Sequence, residues 1–180
     1  MYLGPSMNAI FDIPAIWHDI AADSPKSLNA RSVNSFSYKT GIIGELAVSE
    51  LLSCFDIENR RVDTYNYDFV VNGLKVDVKS NCNEQMPTEE THAGNTRFML
   101  TKYLAKQECD LYVFTMISFD KNQVQVMGFC QKEFFWSNEN GIDFKKGEMP
   151  MRTPLRQDAR ILAYKHLRDI YSLPRYLEKT

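Results

Sequence analysis

The chain has 180 residues, with 44% hydrophobic and 24% charged side chains, which fits one soluble domain spanning 1–180 with a sizeable core. A formal net charge of −2 and a pI near 5.9 exclude a global basic field; any nucleic-acid affinity must come from local patches or from a cation that neutralises carboxylates. The cysteines Cys54, Cys82, Cys109 and Cys130 contain no Cys-x-x-Cys pair, so neither a zinc site nor a disulfide framework is expected. The N-terminus lacks the basic and apolar regions of a signal peptide, and no apolar run approaches the ~20 residues that span a bilayer. The expected location is intracellular, cytoplasmic or nucleoid-associated, with no membrane partner.

Taken in chain order, residues 7–22 read as a short helix, with Asp12 before Pro14 as its start and Trp17 and Ile20 facing inward. A polar connector over 23–35 carries Lys26 and Arg31. Residues 38–55 give the clearest helix, because Ile42, Ile43, Leu46, Ala47, Leu51 and Cys54 recur at three- and four-residue spacing. Glu45 lies at the edge of that stripe. Gly41 and Gly44 each cost the helix about 1 kcal/mol relative to alanine, which implies that something approaches the backbone closely. Arg60-Arg61 follow, on the way into the next element, as candidate phosphate contacts.

Residues 66–80 organise the chain. Asn72-Gly73 between two β-rich arms is a strong signal for a two-residue type I′ turn, which needs positive φ at both positions. The turn sets Val71 opposite Leu74, Val70 opposite Lys75, Phe69 opposite Val76 and Asp68 opposite Asp77. One face is then Tyr67, Phe69, Val71, Leu74, Val76 and Val78, and the other Asn66, Asp68, Val70, Lys75, Asp77 and Lys79. A one-residue slip would put charges in the core, so the register is well specified. Facing carboxylates repel at the roughly 4.5–5.5 Å of cross-strand Cβ partners, and their juxtaposition makes sense around a hard divalent cation that takes oxygen ligands. Lys79, on the same face, adds an ammonium that orients a water or stabilises phosphate charge.

Beyond the hairpin, Ser80-Asn81 lead into a long polar stretch to Thr96 that contains His92. Residues 97–107 read as a short helix bearing Lys102, Lys106 and Gln107. An apolar, β-prone run over 110–118 reads as a central strand buried on both faces, with a turn at 119–122 and a partner strand over 123–130. Residues 131–137 form a short helix whose Phe134, Phe135 and Trp136 pack into the core. A loop over 141–154 carries Lys145-Lys146, residues 158–164 form an edge strand, and residues 165–172 a last helix ending before Pro174. Arg152, Arg156 and Arg160 give this end a local positive balance.

Asp68, then Asp77-Val78-Lys79, preceded by Glu45 in a helical segment, resembles the PD-(D/E)xK nuclease superfamily, with Tyr67 where the family name has proline. The motif covers Glu45 to Lys79, and the order of later elements fits over about two-thirds of the chain. The resemblance implies an α/β domain with a restriction-endonuclease-like mixed sheet of about five strands and flanking helices. It implies a Mg²⁺-dependent DNA endonuclease, with Mn²⁺ able to substitute, in which Asp68, Asp77 and the carbonyl of Val78 bind the metal. Glu45 would hold a second metal or a metal-bound water, and Lys79 would position the attacking water. An exonuclease, a Holliday-junction resolvase and a non-catalytic DNA-binding module of the same fold are the alternatives, and a symmetric homodimer would suit the resolvase or restriction-like case. Arg60, Arg61, Ser80, Asn81, Lys102, Lys106 and Gln107 are the candidate DNA contacts. Phosphate-loop, dinucleotide-binding, nucleophile-elbow and zinc-protease motifs do not occur, and three scattered histidines, His18, His92 and His166, offer no His-rich metal site.

Overall fold

The computed structural model describes residues 9–23, 35–62, 64–84, 96–150 and 153–178. In chain order its elements are β1 (Ala9–Asp12), α1 (Ala15–Asp23), α2 (Ser35–Cys54), β2 (Arg60–Arg61), β3 (Phe69–Val71), β4 (Leu74–Cys82) and β5 (Arg97–Thr101). They continue with β6 (Leu111–Ser118), β7 (Gln123–Gln131), α3 (Lys132–Trp136), β8 (Ile142–Phe144), β9 (Ala159–Ala163) and α4 (Leu173–Leu177). Short 3-10 turns occupy Lys102–Lys106, Tyr164–His166 and Ile170–Ser172.

Asn72 and Gly73 take φ of 49° and 83°, the positive pair that a type I′ turn requires. The turn imposes the expected register, with Phe69 opposite Val76, Val70 opposite Lys75 and Val71 opposite Leu74. The pairing continues one step outward, where Asp68 N–H donates to the Val76 carbonyl at 2.9 Å. β4 then runs parallel to β6, and β6 antiparallel to β7. The result is a mixed α/β fold around a six-stranded sheet of order β1-β7-β6-β4-β3-β2, beside a three-stranded sheet of order β5-β9-β8.

Every residue of β6 is buried, because the strand serves two cores. Leu111, Val113 and Ile117 join Phe69, Val76 and Val78 against Ile43, Ala47 and Leu51 of α2. Their alternates Tyr112, Phe114 and Met116 join Phe98 and Leu100 of β5, Leu162 of β9 and Phe135 of α3. Parallel pairing puts Asp77 beside Tyr112 and Lys79 beside Phe114. The acidic face of the hairpin therefore looks toward the second apolar cluster, not toward open water.

Gly44 explains how α2 sits so close to the sheet. A Cβ there would lie 2.0 Å from Ser80 Oγ and 2.6 Å from Thr115 Oγ1, two hydroxyls already joined by a 2.8 Å hydrogen bond. The close approach expected of the helix glycines holds at Gly44, whereas a Cβ at Gly41 would meet nothing within 4 Å. Gly44→Ala should therefore lower stability by about 1–3 kcal/mol through overpacking, despite alanine's better helix propensity. Urea unfolding of the two proteins measures it.

Several expectations need correction. Residues 9–12 form β1, not the first turn of a helix: they pair with Gln123–Val126, and Asn122 clamps the strand end by accepting from Ile13 N–H and donating to its carbonyl, each at 2.8 Å. Residues 97–101 form a strand because Phe98 and Leu100 alternate into the second core and β9 supplies a pairing edge. β9 lies at the centre of its sheet, flanked by β5 and by β8, which falls where only loop was expected. The last segment is two 3-10 turns followed by α4, which begins at Leu173-Pro174 instead of ending before them. Cys54 is exposed, off the apolar stripe of α2. Arg160 is buried, with its guanidinium donating to Asp143 Oδ1 at 2.6 Å; that bond and the Lys102 ammonium hold the Asp143 carboxyl down at about 2. Lys26, Arg31, His92 and Arg152 lie outside the described residues.

Candidate active site

Asp68 and Asp77 face each other at the open end of the β3–β4 hairpin. Asp77 is only 4% exposed, which removes the simplest explanation of these acids as the solvated side of a ribbon. Asp68 Oδ2 accepts the Val78 N–H at 2.7 Å, so the backbone of the second acid's neighbour fixes the carboxyl of the first. Lys79 Nζ meets Asp77 Oδ2 at 2.5 Å. Among the described residues that ion pair is the close contact of Asp77 Oδ2, with no conventional hydrogen bond beside it.

Burial is the main influence on both carboxyls. It pushes Asp68 up to about 7, reinforced by the Asp77 charge and opposed by the Val78 N–H and Lys79. It also pushes Asp77 up, against the pull of the Lys79 ammonium. One proton and one charge shared between two acids is the expected state of such a pair without a cation.

Gln107 secures Lys79 from the other side. Its Oε1 accepts from Lys79 Nζ at 3.2 Å, its Nε2 donates to the Tyr65 carbonyl at 2.8 Å, and its own carbonyl accepts from Lys132 Nζ. The Lys79 ammonium also lies 5.7 Å from the centroid of the Tyr112 ring. A lysine held by a carboxylate, an amide and an aromatic face has little rotamer freedom left to lose.

The structure brings Asp68, Asp77 and Lys79 together and leaves Glu45 at their rim. Glu45 Oε2 accepts from Arg61 Nε at 2.7 Å, and its charge is near enough to raise Asp77 slightly. Among the described residues no three His, Cys, Asp or Glu side chains converge as a cation cluster. What is present is a two-carboxylate donor set whose buried Asp77 Oδ2 is ion-paired with the Lys79 ammonium. That set suits a hard cation that keeps water or substrate oxygens as its remaining ligands.

No protein-family model, curated protein or solved structure matches this chain. The chemistry of the site therefore rests on its geometry.

The candidate DNA contacts divide by exposure. Gln107 is 4% exposed and spends its amide inside the protein. Ser80 Oγ accepts from Thr115 beneath Gly44, and Lys102 Nζ donates to Asp143 at 2.6 Å. Arg61 is engaged with Glu45. Arg60 and Lys106 are exposed, and Asn81 is half-buried. Sequence reasoning missed the Gln107–Lys79 contact, since Gln107 lies 28 residues downstream and reaches the site only through the parallel β4–β6 pairing.

Proposed function

We propose that the chain is a metal-dependent deoxyribonuclease of the restriction-endonuclease-like class, cutting phosphodiester bonds endonucleolytically. The observation that carries this reading is a 4%-exposed Asp77 facing Asp68 with the Lys79 ammonium beside it. A protein gains no stability from setting a half-buried Asp68 against a buried Asp77; such an arrangement points to a functional site.

In this reading Asp68, Asp77 and the Val78 carbonyl would hold a Mg²⁺ or Mn²⁺ ion, which would supply Lewis-acid polarisation of the phosphate and stabilisation of the leaving oxygen. Lys79, fixed by Gln107, orients the attacking water and offsets phosphate charge. Glu45 would hold a second ion or a metal-bound water at the rim, where it is now paired with Arg61, itself a candidate phosphate contact. Exposed Arg60 and Lys106 and half-buried Asn81 are the remaining candidate contacts to the DNA backbone.

The test is cleavage of supercoiled plasmid, linear duplex and four-way-junction DNA by the purified protein with Mg²⁺, with Mn²⁺ and with EDTA. Nicking or linearisation that needs the metal is the expected result, and the preferred substrate distinguishes a general endonuclease from a resolvase or an exonuclease. A protein that cuts none of these with either metal contradicts the reading.

A further inference from the structure

Tyr65 and Tyr103 are 55% and 48% exposed, although hydrogen bonds hold the backbone that carries them. Tyr65 sits in a turn pinned by Thr64, whose Oγ1 accepts from Asn66 N–H at 3.3 Å and Tyr67 N–H at 3.1 Å and donates to the Tyr67 carbonyl at 2.7 Å. The Tyr65 carbonyl is further tied to Gln107. Tyr103 belongs to the 3-10 turn Lys102–Lys106, where the Leu104 carbonyl accepts from Tyr112 Oη at 3.3 Å and from Gln107 N–H at 3.0 Å. Gln107 thus links both tyrosine-bearing turns to Lys79. Burial raises the Tyr65 phenol above its ordinary range, with smaller influences from Tyr103, Lys79 and Asp77.

Both rings keep about half their surface in water and belong to neither apolar core cluster. They are suited to a flat, apolar partner with an anionic neighbour. A nucleobase attached to a phosphate has both features, and stacking on an aromatic side chain strengthens binding roughly 10- to 100-fold per base, whatever the base. A base paired inside a duplex hides both its faces, so the partner must be unpaired.

We infer that Tyr65 and Tyr103 form a stacking platform for an unpaired nucleobase next to the phosphate held at Asp68, Asp77 and Lys79, so that the substrate is single-stranded where it is engaged. This rests on the nuclease reading for its catalytic consequence, but the binding surface is testable by itself. The class of substrate is a strand end, flap, bubble or loop, in DNA or RNA.

The experiment is fluorescence anisotropy in Ca²⁺ with a labelled oligothymidylate, an oligouridylate of equal length and an equal-length abasic sugar–phosphate strand. The wild type should bind the base-bearing strands at least ~10-fold more tightly than the abasic one. The double variant Tyr65→Ala/Tyr103→Ala should lose that ratio, whereas Tyr65→Phe/Tyr103→Phe should keep it, because the ring and not the hydroxyl is used. A wild type that binds abasic and base-bearing strands equally overturns the platform, as does a ratio that survives the alanine pair. Should the alanine pair fail to fold, the wild-type ratio and the phenylalanine pair decide. Comparing thymidylate with uridylate tells DNA from RNA preference. Failure of the nuclease reading is distinguishable: a wild type that shows the base ratio, lost on alanine substitution, yet cuts nothing with Mg²⁺ or Mn²⁺ retains the platform as a single-strand binding surface.

Discussion

Replacing Asp68 with asparagine should make the metal-free protein more stable at pH 8, by on the order of 2 kcal/mol, while abolishing cleavage. The Asp68 carboxyl is pushed up to about 7 by burial and by Asp77, whereas the same group in an unfolded chain titrates near pH 4. Between those values the folded state holds a proton that the unfolded state has released. Stability therefore falls as pH rises through this window, and above it the folded protein carries two repelling carboxylates. Asparagine keeps an oxygen to accept the Val78 N–H, now 2.7 Å from Asp68 Oδ2, and offers its amide N–H to Asp77. Urea unfolding in EDTA at pH 5 and pH 8 should show stability declining more steeply in the wild type than in the variant, which keeps only the raised Asp77 carboxyl. A wild type whose stability rises over that interval relative to Asp68→Asn would contradict the electrostatic account. On the proposed function cleavage should be lost, because one of the two carboxylates that would hold the cation has been removed.

Lys79→Met should cost about 10²- to 10⁴-fold in cleavage rate yet leave cation binding in place at alkaline pH. The stem of methionine fills similar space under Tyr112, but the charge that meets Asp77 at 2.5 Å is gone. Burial then acts on Asp77 without its main opponent, so the carboxyl keeps its proton to higher pH and cation binding shifts in the same direction. Lys79→Arg should recover only part of the rate, since a planar guanidinium cannot replace a compact ammonium between a carboxylate and Gln107 Oε1. Single-turnover cleavage paired with Mn²⁺ binding across pH separates the two roles. A Lys79→Met protein that cuts at the wild-type rate would remove lysine from the mechanism.

The parts of this structure that were legible in the sequence are those set by local rules. The Asn72-Gly73 turn fixes the register around it, and the unbroken apolar run of β6 marks a strand covered on both sides. α2 follows from its helical stripe, and the aromatic residues of α3 pack as the pattern implies. Elements defined by distant partners were not legible. β1 exists because β7, more than a hundred residues later, offers an edge. The residues of β5 alternate over only five positions and pair with β9 some sixty residues on. At the site, the Asp68–Asp77 pairing could be read because a turn enforces it. The hold of Gln107 on Lys79 could not, because it depends on the chain crossing over between β4 and β6. Arg61 meets Glu45 for a related reason: β2 pairs with β3 and so returns Arg61 toward α2.

Thermal unfolding at pH 8 with increasing Mn²⁺, for the wild type and for Asp68→Asn and Asp77→Asn, tests the central claim that the buried carboxylate pair is a cation site. A ligand bound only by the folded state raises stability by RT ln(1 + [L]/Kd), about 2.7 kcal/mol at a hundredfold excess over Kd. The account predicts a concentration-dependent rise in Tm for the wild type that is absent from both variants. A wild-type Tm indifferent to Mn²⁺, or a rise of equal size in all three proteins, would contradict it.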